Sequence, residues 1–441
     1  MEELLTLPPC RVIIIGGGVS GLATACSLMK DYDLDDYCIY DRQTSLGGTW
    51  NANIYPGCAV DIPGFCYSYS FAPNPGFTQL FPSQAEILHY LLVVAKQYRV
   101  DQHFKGGVEW TAASWQDKSR TWLVTLKDIQ TQRVFRQESQ ILISAVGGLV
   151  NPCEISIPGA DRFKGSIMHT ARWKNDIDLT NKHVAVIGNG ASATQVIPAI
   201  IDKTKSVTQF MRSPHHIVNA TNHQISPEWR NLLRRVPLLL HLIRLLLFLY
   251  MEITWFRFQN NRLGKIGRES VKNRSRTYVQ DTAPKIYWDM LIPTYEFGCR
   301  RRIFDRGYLA TLHKSNMFLT DDPILEISED SVITHSGEAF RVDTILLATG
   351  FALTQYDVDL RGRNGKTREQ HWKQYGHKAT YKSIAMHGFP NFFYILGPNS
   401  GRLYTSTIQI IESCYGNASH QTNTSPPSLI GGGQKHPRAG I

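Results

Sequence analysis

The chain has 441 residues, 42% of them apolar and 19% charged, which fits a soluble globular protein of two or three domains and excludes a disordered or collagen-like chain. The formal net charge is +10, and the whole excess lies between Arg230 and Arg306, where 16 Lys/Arg stand against 6 Asp/Glu. That stretch carries no nucleic-acid motif, so it reads first as a solvated basic helical face, with a phosphate-bearing cofactor or an acidic lipid surface as the sharper alternatives. Eight cysteines form no CxxC pair, which argues for reduced thiols and against a disulfide framework or a zinc site. The N-terminus lacks a basic n-region and a long apolar h-region, so a cytosolic location is expected.

In chain order, residues 11–28, RVIIIGGGVSGLATACSL, predict a strand, a glycine turn and a helix. The turn fits GxGxxG through Gly16, Gly18 and Gly21. Asp41 follows twenty residues later, at the end of the strand-like YCIYD. Gly16 permits the tight turn, Gly18 lets a pyrophosphate approach the backbone, Gly21 lets helix and strand pack, and Asp41 would accept hydrogen bonds from ribose hydroxyls. Residues 182–200, KHVAVIGNGASATQVIPAI, repeat the plan with Gly188, Gly190 and Ala193. No acid follows this second turn. Its next strand-like run ends instead at Arg212, a cation suited to a 2′-phosphate. The economical assignment is FAD at the first turn and NADPH at the second.

The apolar runs ILISAVGGL near 145 and DTILLATGF near 347 predict strands that close each unit and mark the crossings between them. The expected fold is α/β, with two doubly wound Rossmann-like dinucleotide-binding domains and a helical insertion. Residues 1–150 and 351–413 form the FAD-binding domain, 151–220 and 308–350 the NADP-binding domain, and 221–307 the insertion lining the substrate site. Within the insertion, VPLLLHLIRLLLFLYMEITWF is interrupted by Pro237, His241 and Arg244 and predicts a buried or substrate-lining helix. An amphipathic helix in weak contact with a membrane surface is the alternative, making the chain peripheral to a membrane. Residues 414–441, rich in Ser, Thr, Asn, Pro and Gly, read as a disordered tail.

Between the two units stands FKGSIMHTARWK, with Phe163, Gly165, His169 and Trp173 in the pattern FxGxxxHxxxW. A second spaced stretch, GGTWNANIYPGCAVD, supplies Gly47, Gly48, Trp50, Tyr55, Pro56, Gly57 and Asp61. With these motifs the sequence resembles the type I Baeyer–Villiger monooxygenases, and most closely their fungal branch, from about residue 10 to about 413. GCRRRIFD, LLATGF and GPNSG follow in the family's order.

The resemblance implies conversion of a ketone to an ester or lactone through a C4a-peroxyflavin, with NADPH as reductant and O2 as co-substrate. It places Arg301 as the cation that stabilises the oxygen adduct, Asp61 as the carboxylate that holds it, and Arg300 as a neighbouring NADP contact. Guanidinium suits that task because it stays charged and donates hydrogen bonds in fixed directions. Ser20, Gly48, Thr49, Trp50, Asp61 and Tyr67 join the cofactor-binding set. His169 is implied as a coupling residue rather than a general base, and the FxGxxxHxxxW segment as a hinge registering one nucleotide domain against the other. The fungal branch points to a hydrophobic secondary-metabolite ketone. The family's chains continue beyond the point at which this one turns polar, so a C-terminally shortened flavoprotein with little oxygenase activity stands as an alternative, beside an N- or S-oxygenating flavin monooxygenase.

Overall fold

The structure, a computed structural model, describes residues 5–154, 156–352, 356–401 and 405–422. The strand Leu5–Ile15 carries a run, Val12 to Ile14, with no exposed surface, as expected of a parallel strand covered on both faces. It pairs in parallel with Tyr37–Asp41 on one side and Val134–Ser144 on the other. The helix Val19–Tyr32 connects the first two of these strands. The sheet has eight strands, and two come from far along the chain: Asp359–Arg361 beside Val108–Gln116, and Phe392–Tyr394 beside Val134–Ser144.

A second, five-stranded sheet is parallel throughout. Its order is Met317–Thr320, Ser206–Phe210, His183–Ile187, Thr344–Leu347 and Ser166–His169. The helix Ala191–Ile200 follows the central strand, and Ala193, Val196, Ile197 and Ile200 on it are fully buried against this sheet's core. Two Rossmann-type units therefore make one α/β chain.

The same backbone problem is solved twice. Gly16 (φ +110°) and Gly188 (φ +119°) end the first strand of each unit, and a Cβ on either would fall 2.6 Å from the Ala145 carbonyl oxygen or 2.4 Å from that of Ala348. Those carbonyls belong to the two apolar runs expected to close each unit, so each strand end leaves room only for glycine. At the third motif position the units diverge. A Cβ on Gly21 would lie 1.8 Å from the Gly16 carbonyl oxygen, whereas Ala193 is accommodated with no exposed surface.

The two crossings run side by side. Cys153 donates its N–H to Gly350, Ala352 donates to Asn151, and the Thr349 hydroxyl donates to Cys153. The segment expected to be the hinge lies beside this ladder and is built into the second sheet. Ser166–His169 is its edge strand, Trp173 packs on its core, and Phe163 packs on a neighbouring apolar cluster. A Cβ on Gly165 would fall 2.3 Å from the Asp343 carbonyl oxygen, which explains that glycine by close approach.

Two expectations are corrected in part. The Leu-rich helix Pro237–Ile253 lines the smaller cavity through Leu247, Tyr250 and Met251, but most of it is not buried: Leu238 is 78%, Ile253 69% and Leu246 58% exposed. Its one arginine turns inward instead, Arg244 donating to the Phe65 carbonyl and to the Ser68 hydroxyl and carbonyl. These oxygens, two of which also meet in the Ser68 hydroxyl to Phe65 carbonyl bond, pair the guanidinium in a way the exposed side of the helix does not. The second concerns the expected tail, because the helix Thr407–Thr422 runs through its first nine residues. Ile408, Ile411 and Cys414, three apart on one helical face, are buried against the first core and anchor it. Residues 423–441 lie outside the described residues.

Candidate active site

The first glycine turn opens into a cleft of about 980 Å³ lined by Gly16, Gly18, Ser20, Asp41, Gly48, Thr49 and Tyr67. A Cβ on Gly18 would meet the Gly48 Cα at 3.3 Å, so the two glycine motifs touch and leave a cradle of bare backbone. Asp41 accepts the Gly17 N–H (2.6 Å) on one carboxylate oxygen and the Gln43 N–H (2.8 Å) on the other. Burial raises its pKa, and these two hydrogen bonds pull in the opposite direction. Gly21 and Trp50 do not line the cleft. Trp50 stands behind it and donates its indole N–H to the Tyr67 hydroxyl at 3.0 Å, which fixes the tyrosine ring in the wall.

At the second turn, Gly188 donates its N–H to the Phe210 carbonyl at the end of Ser206–Phe210, and open space lies beside Gly190. Asn189 donates its side-chain amide to the Ser213 carbonyl at 2.7 Å, Arg300 donates to the Ser213 hydroxyl, and Arg212 is exposed beside it. Arg212 and Arg300, 88 positions apart in the chain, thus stand at one loop, and the Arg300 guanidinium lies 5.3 Å from the Tyr295 ring centre.

A second cavity, about 530 Å³, has Asp61 and Arg301 in its wall, and the two form an ion pair across 240 positions of sequence. Arg301 is 61% and Asp61 23% exposed, so the pair contributes at most about 1 kcal/mol to stability. Its effect is to aim the guanidinium. Behind it, Arg306 donates to the Val60 carbonyl and stacks 5.4 Å from the Phe81 ring centre, holding the Asp61 loop from below. Burial lowers the pKa of Arg306, with Asp61 acting against that. Asp61, expected also among the cofactor contacts, lies in this cavity and not in the larger cleft. Thr407, the first residue of the last described helix, lines both spaces and joins them.

His169 accepts the Ala171 N–H on Nδ1 at 3.0 Å, so the neutral ring carries its proton on Nε2. Burial lowers its pKa, and the ring packs at 6.1 Å against Phe351 on the paired crossing. That arrangement suits a packed coupling residue and gives no general base a partner.

Several residues had no sequence signal. Gln43, Trp110 and Asn151 line the large cleft. Gln195, on the second-sheet helix, receives the Tyr55 hydroxyl at 2.8 Å and donates to the Ala59 carbonyl at 3.0 Å, clasping the YPG stretch to the other unit.

Residues 9–263 match the family model described as flavin-binding monooxygenase-like. The chain is 33% identical over 407 residues to a Baeyer–Villiger monooxygenase of Streptomyces coelicolor, spanning 91% of this chain and 76% of that one. The chain belongs to the flavin-binding monooxygenase family. Within it the chain falls among the Baeyer–Villiger monooxygenases, enzymes dependent on FAD and NADP(H). The FAD-binding monooxygenase ktnD of Aspergillus niger is 33% identical over 411 residues, covering 91% of this chain and 67% of its own. Among solved structures, the complex of OTEMO with FAD and NADP matches this monooxygenase with a TM-score of 0.81 at 26% identity, covering 94% of this chain and 85% of that one. The α/β architecture with two nucleotide-binding units is that of the family.

Proposed function

We propose that this Baeyer–Villiger monooxygenase acts on a hydrophobic ketone held in the 530 Å³ cavity, with FAD in the larger cleft and NADPH at the second glycine turn. The carrying observation is the Arg301–Asp61 pair in the wall of a cavity that shares Thr407 with that cleft. The bare-backbone cradle at Gly16, Gly18 and Gly48 fits a pyrophosphate, and Asp41 keeps lone pairs free of the Gly17 and Gln43 donors for a ribose. Arg212 and Arg300 supply the positive charge that a 2′-phosphate asks for. Bound FAD supplies the redox and oxygen-activating chemistry, with hydride delivered by the nicotinamide.

The chain's own part is electrostatic. Arg301 offers fixed N–H donors to negative charge developing beside the ketone, and Asp61 prevents the half-exposed guanidinium from swinging into solvent. The relatives' names include cyclohexanone and steroid monooxygenases, and a wall of Phe81, Leu247, Met251 and Phe304 suits a ketone of that apolar kind.

Product analysis under ¹⁸O-labelled oxygen, across linear, cyclic and polycyclic ketones, tests the reading. One labelled oxygen in the ester or lactone is expected, and near-stoichiometric hydrogen peroxide with every ketone would refute it. Arg301→Ala is expected to leave flavin reduction by NADPH nearly intact and abolish ester formation, and retained ester formation removes the assignment. Contact with a membrane surface keeps one support, the exposed apolar face of Pro237–Ile253. Flotation with anionic vesicles checks it, and protein left wholly at the bottom of the gradient ends it.

A further inference from the structure

Four arginines line the smaller cavity, Arg257, Arg274, Arg301 and Arg302, against a single carboxylate, Asp61. Arg301 uses that carboxylate. Among the described residues the other three have no carboxylate partner: Arg302 stacks 4.7 Å from the Phe304 ring centre, Arg257 lies 5.8 Å from that of Phe256, and Arg274 reaches only its own helix at Ser270. The Nε of Arg302 is buried and without a partner. Burial and the neighbouring Arg257 lower the Arg302 pKa, with Tyr250 and Asp61 acting against them and Arg301 adding to them, and burial and Arg274 lower that of Arg257, so the guanidinium groups repel one another across the space. Four like charges against one carboxylate leave an excess of positive charge in the cavity that is costly unless a ligand brings a further anion.

We propose that the ketone this enzyme oxygenates carries a carboxylate, and that Arg302 and Arg257 bind it while Arg301 serves the carbonyl end. The proposal rests on the ketone-oxygenase reading and narrows its substrate to an amphipathic keto acid. The planar guanidinium fork matches a carboxylate in two parallel hydrogen bonds, and the apolar wall accepts the rest of the molecule. Service to the nicotinamide cofactor is the competing use of these cations, but Arg212 and Arg300 already meet at the second glycine turn.

The test compares oxo-cyclohexanecarboxylate with its methyl ester on the FAD-loaded enzyme with NADPH. The acid is expected to exceed the ester in kcat/KM by about tenfold or more, the worth of one charge-assisted contact, and the advantage shrinks with salt. Arg302→Met and Arg257→Gln abolish the preference and leave KM for NADPH unchanged, while Arg302→Lys restores part of it. An ester equal to or better than the acid overturns the proposal, as does a change confined to KM for NADPH. If neither compound is oxygenated, the ketone panel described above decides the ketone-oxygenase reading separately. Titration of acid and ester, followed by the absorbance of the bound flavin, then decides the anion site: tighter binding of the acid, lost in Arg302→Met, sustains it, and equal binding overturns it.

Discussion

Replacing Gly57 by alanine tests whether the YPG stretch is a rigid clasp between the two nucleotide units. Gly57 sits at φ +82°, where a Cβ costs about 1–2 kcal/mol in backbone strain. The added methyl would also lie 2.2 Å from the Gln195 carbonyl oxygen and 3.0 Å from its carbon. Both are backbone atoms of the helix Ala191–Ile200, so no side-chain rotation relieves the contact, and overpacking of this kind costs about 1–3 kcal/mol more. The sum, roughly 2–5 kcal/mol, corresponds to a fall in melting temperature of about 2–5 °C for a chain of this length. Differential scanning calorimetry reads the loss, and stopped-flow reduction of the flavin by NADPH reads whether the units still meet in register. Both should deteriorate together. Gln195→Ala removes the bonds to Tyr55 and Ala59, yet because the clash is with backbone it should not rescue Gly57→Ala. A Gly57→Ala enzyme with wild-type melting and wild-type flavin reduction would refute the clasp.

Gly190→Ala makes the opposite case. No atom lies within 4 Å of the added methyl and φ is −79°, so stability should hold within about 0.5 kcal/mol while KM for NADPH rises; an unchanged KM would remove the pyrophosphate role. Arg368 is 1% exposed and donates to the Tyr356 and Val358 carbonyls, so Arg368→Met should cost roughly 1–3 kcal/mol in urea unfolding by stranding those acceptors. Burial lowers the pKa values of His169, His216 and His371 from the ordinary value near 6.5. Folding therefore favours their neutral forms. The unfolded chain takes up protons first as pH falls, so this contribution to stability is complete above about pH 6.5–7 and is lost below it. Urea midpoints measured from pH 8 to pH 5 should decline at the acid end, and a flat profile would contradict the burial of neutral imidazoles.

The parts of the site that were legible in the sequence are local ones. A strand running into glycines and then into small residues dictates a turn of one kind, and the structure answers with Gly16 and Gly188 against matching carbonyls. The Asp61–Arg301 pair spans 240 positions, and no periodicity could have joined them; the family resemblance suggested them, and the fold brings them together. Gln195 gave no signal because a glutamine on a helix is ordinary until its neighbours are known. Arg302 was hidden inside a run of three arginines whose directions differ only in space: Arg300 turns to Ser213, Arg301 to Asp61, and Arg302 to Phe304. For the Leu-rich helix, composition gave the cavity-lining side correctly but not the large exposed side, because Arg244 and a few leucines turn inward and the rest are left outside. In the last described helix, the apolar anchors Ile408 and Ile411 lie before the expected tail, and only Cys414 falls inside it, so the polar composition of residues 414–441 gave no sign that the helix continues.

The paired crossing has an evolutionary corollary. Where the chain leaves the first sheet near Pro152 and where it returns near Phe351, the two strands are bridged to each other. A unit whose entry and exit touch can be lengthened, exchanged or deleted without stretching its host, in the manner of a cassette. A direct splice across those two positions would keep the host sheet's strands Asp359–Arg361 and Phe392–Tyr394 within reach of their partners, so lineages could trade the second nucleotide-binding unit while inheriting the first unchanged.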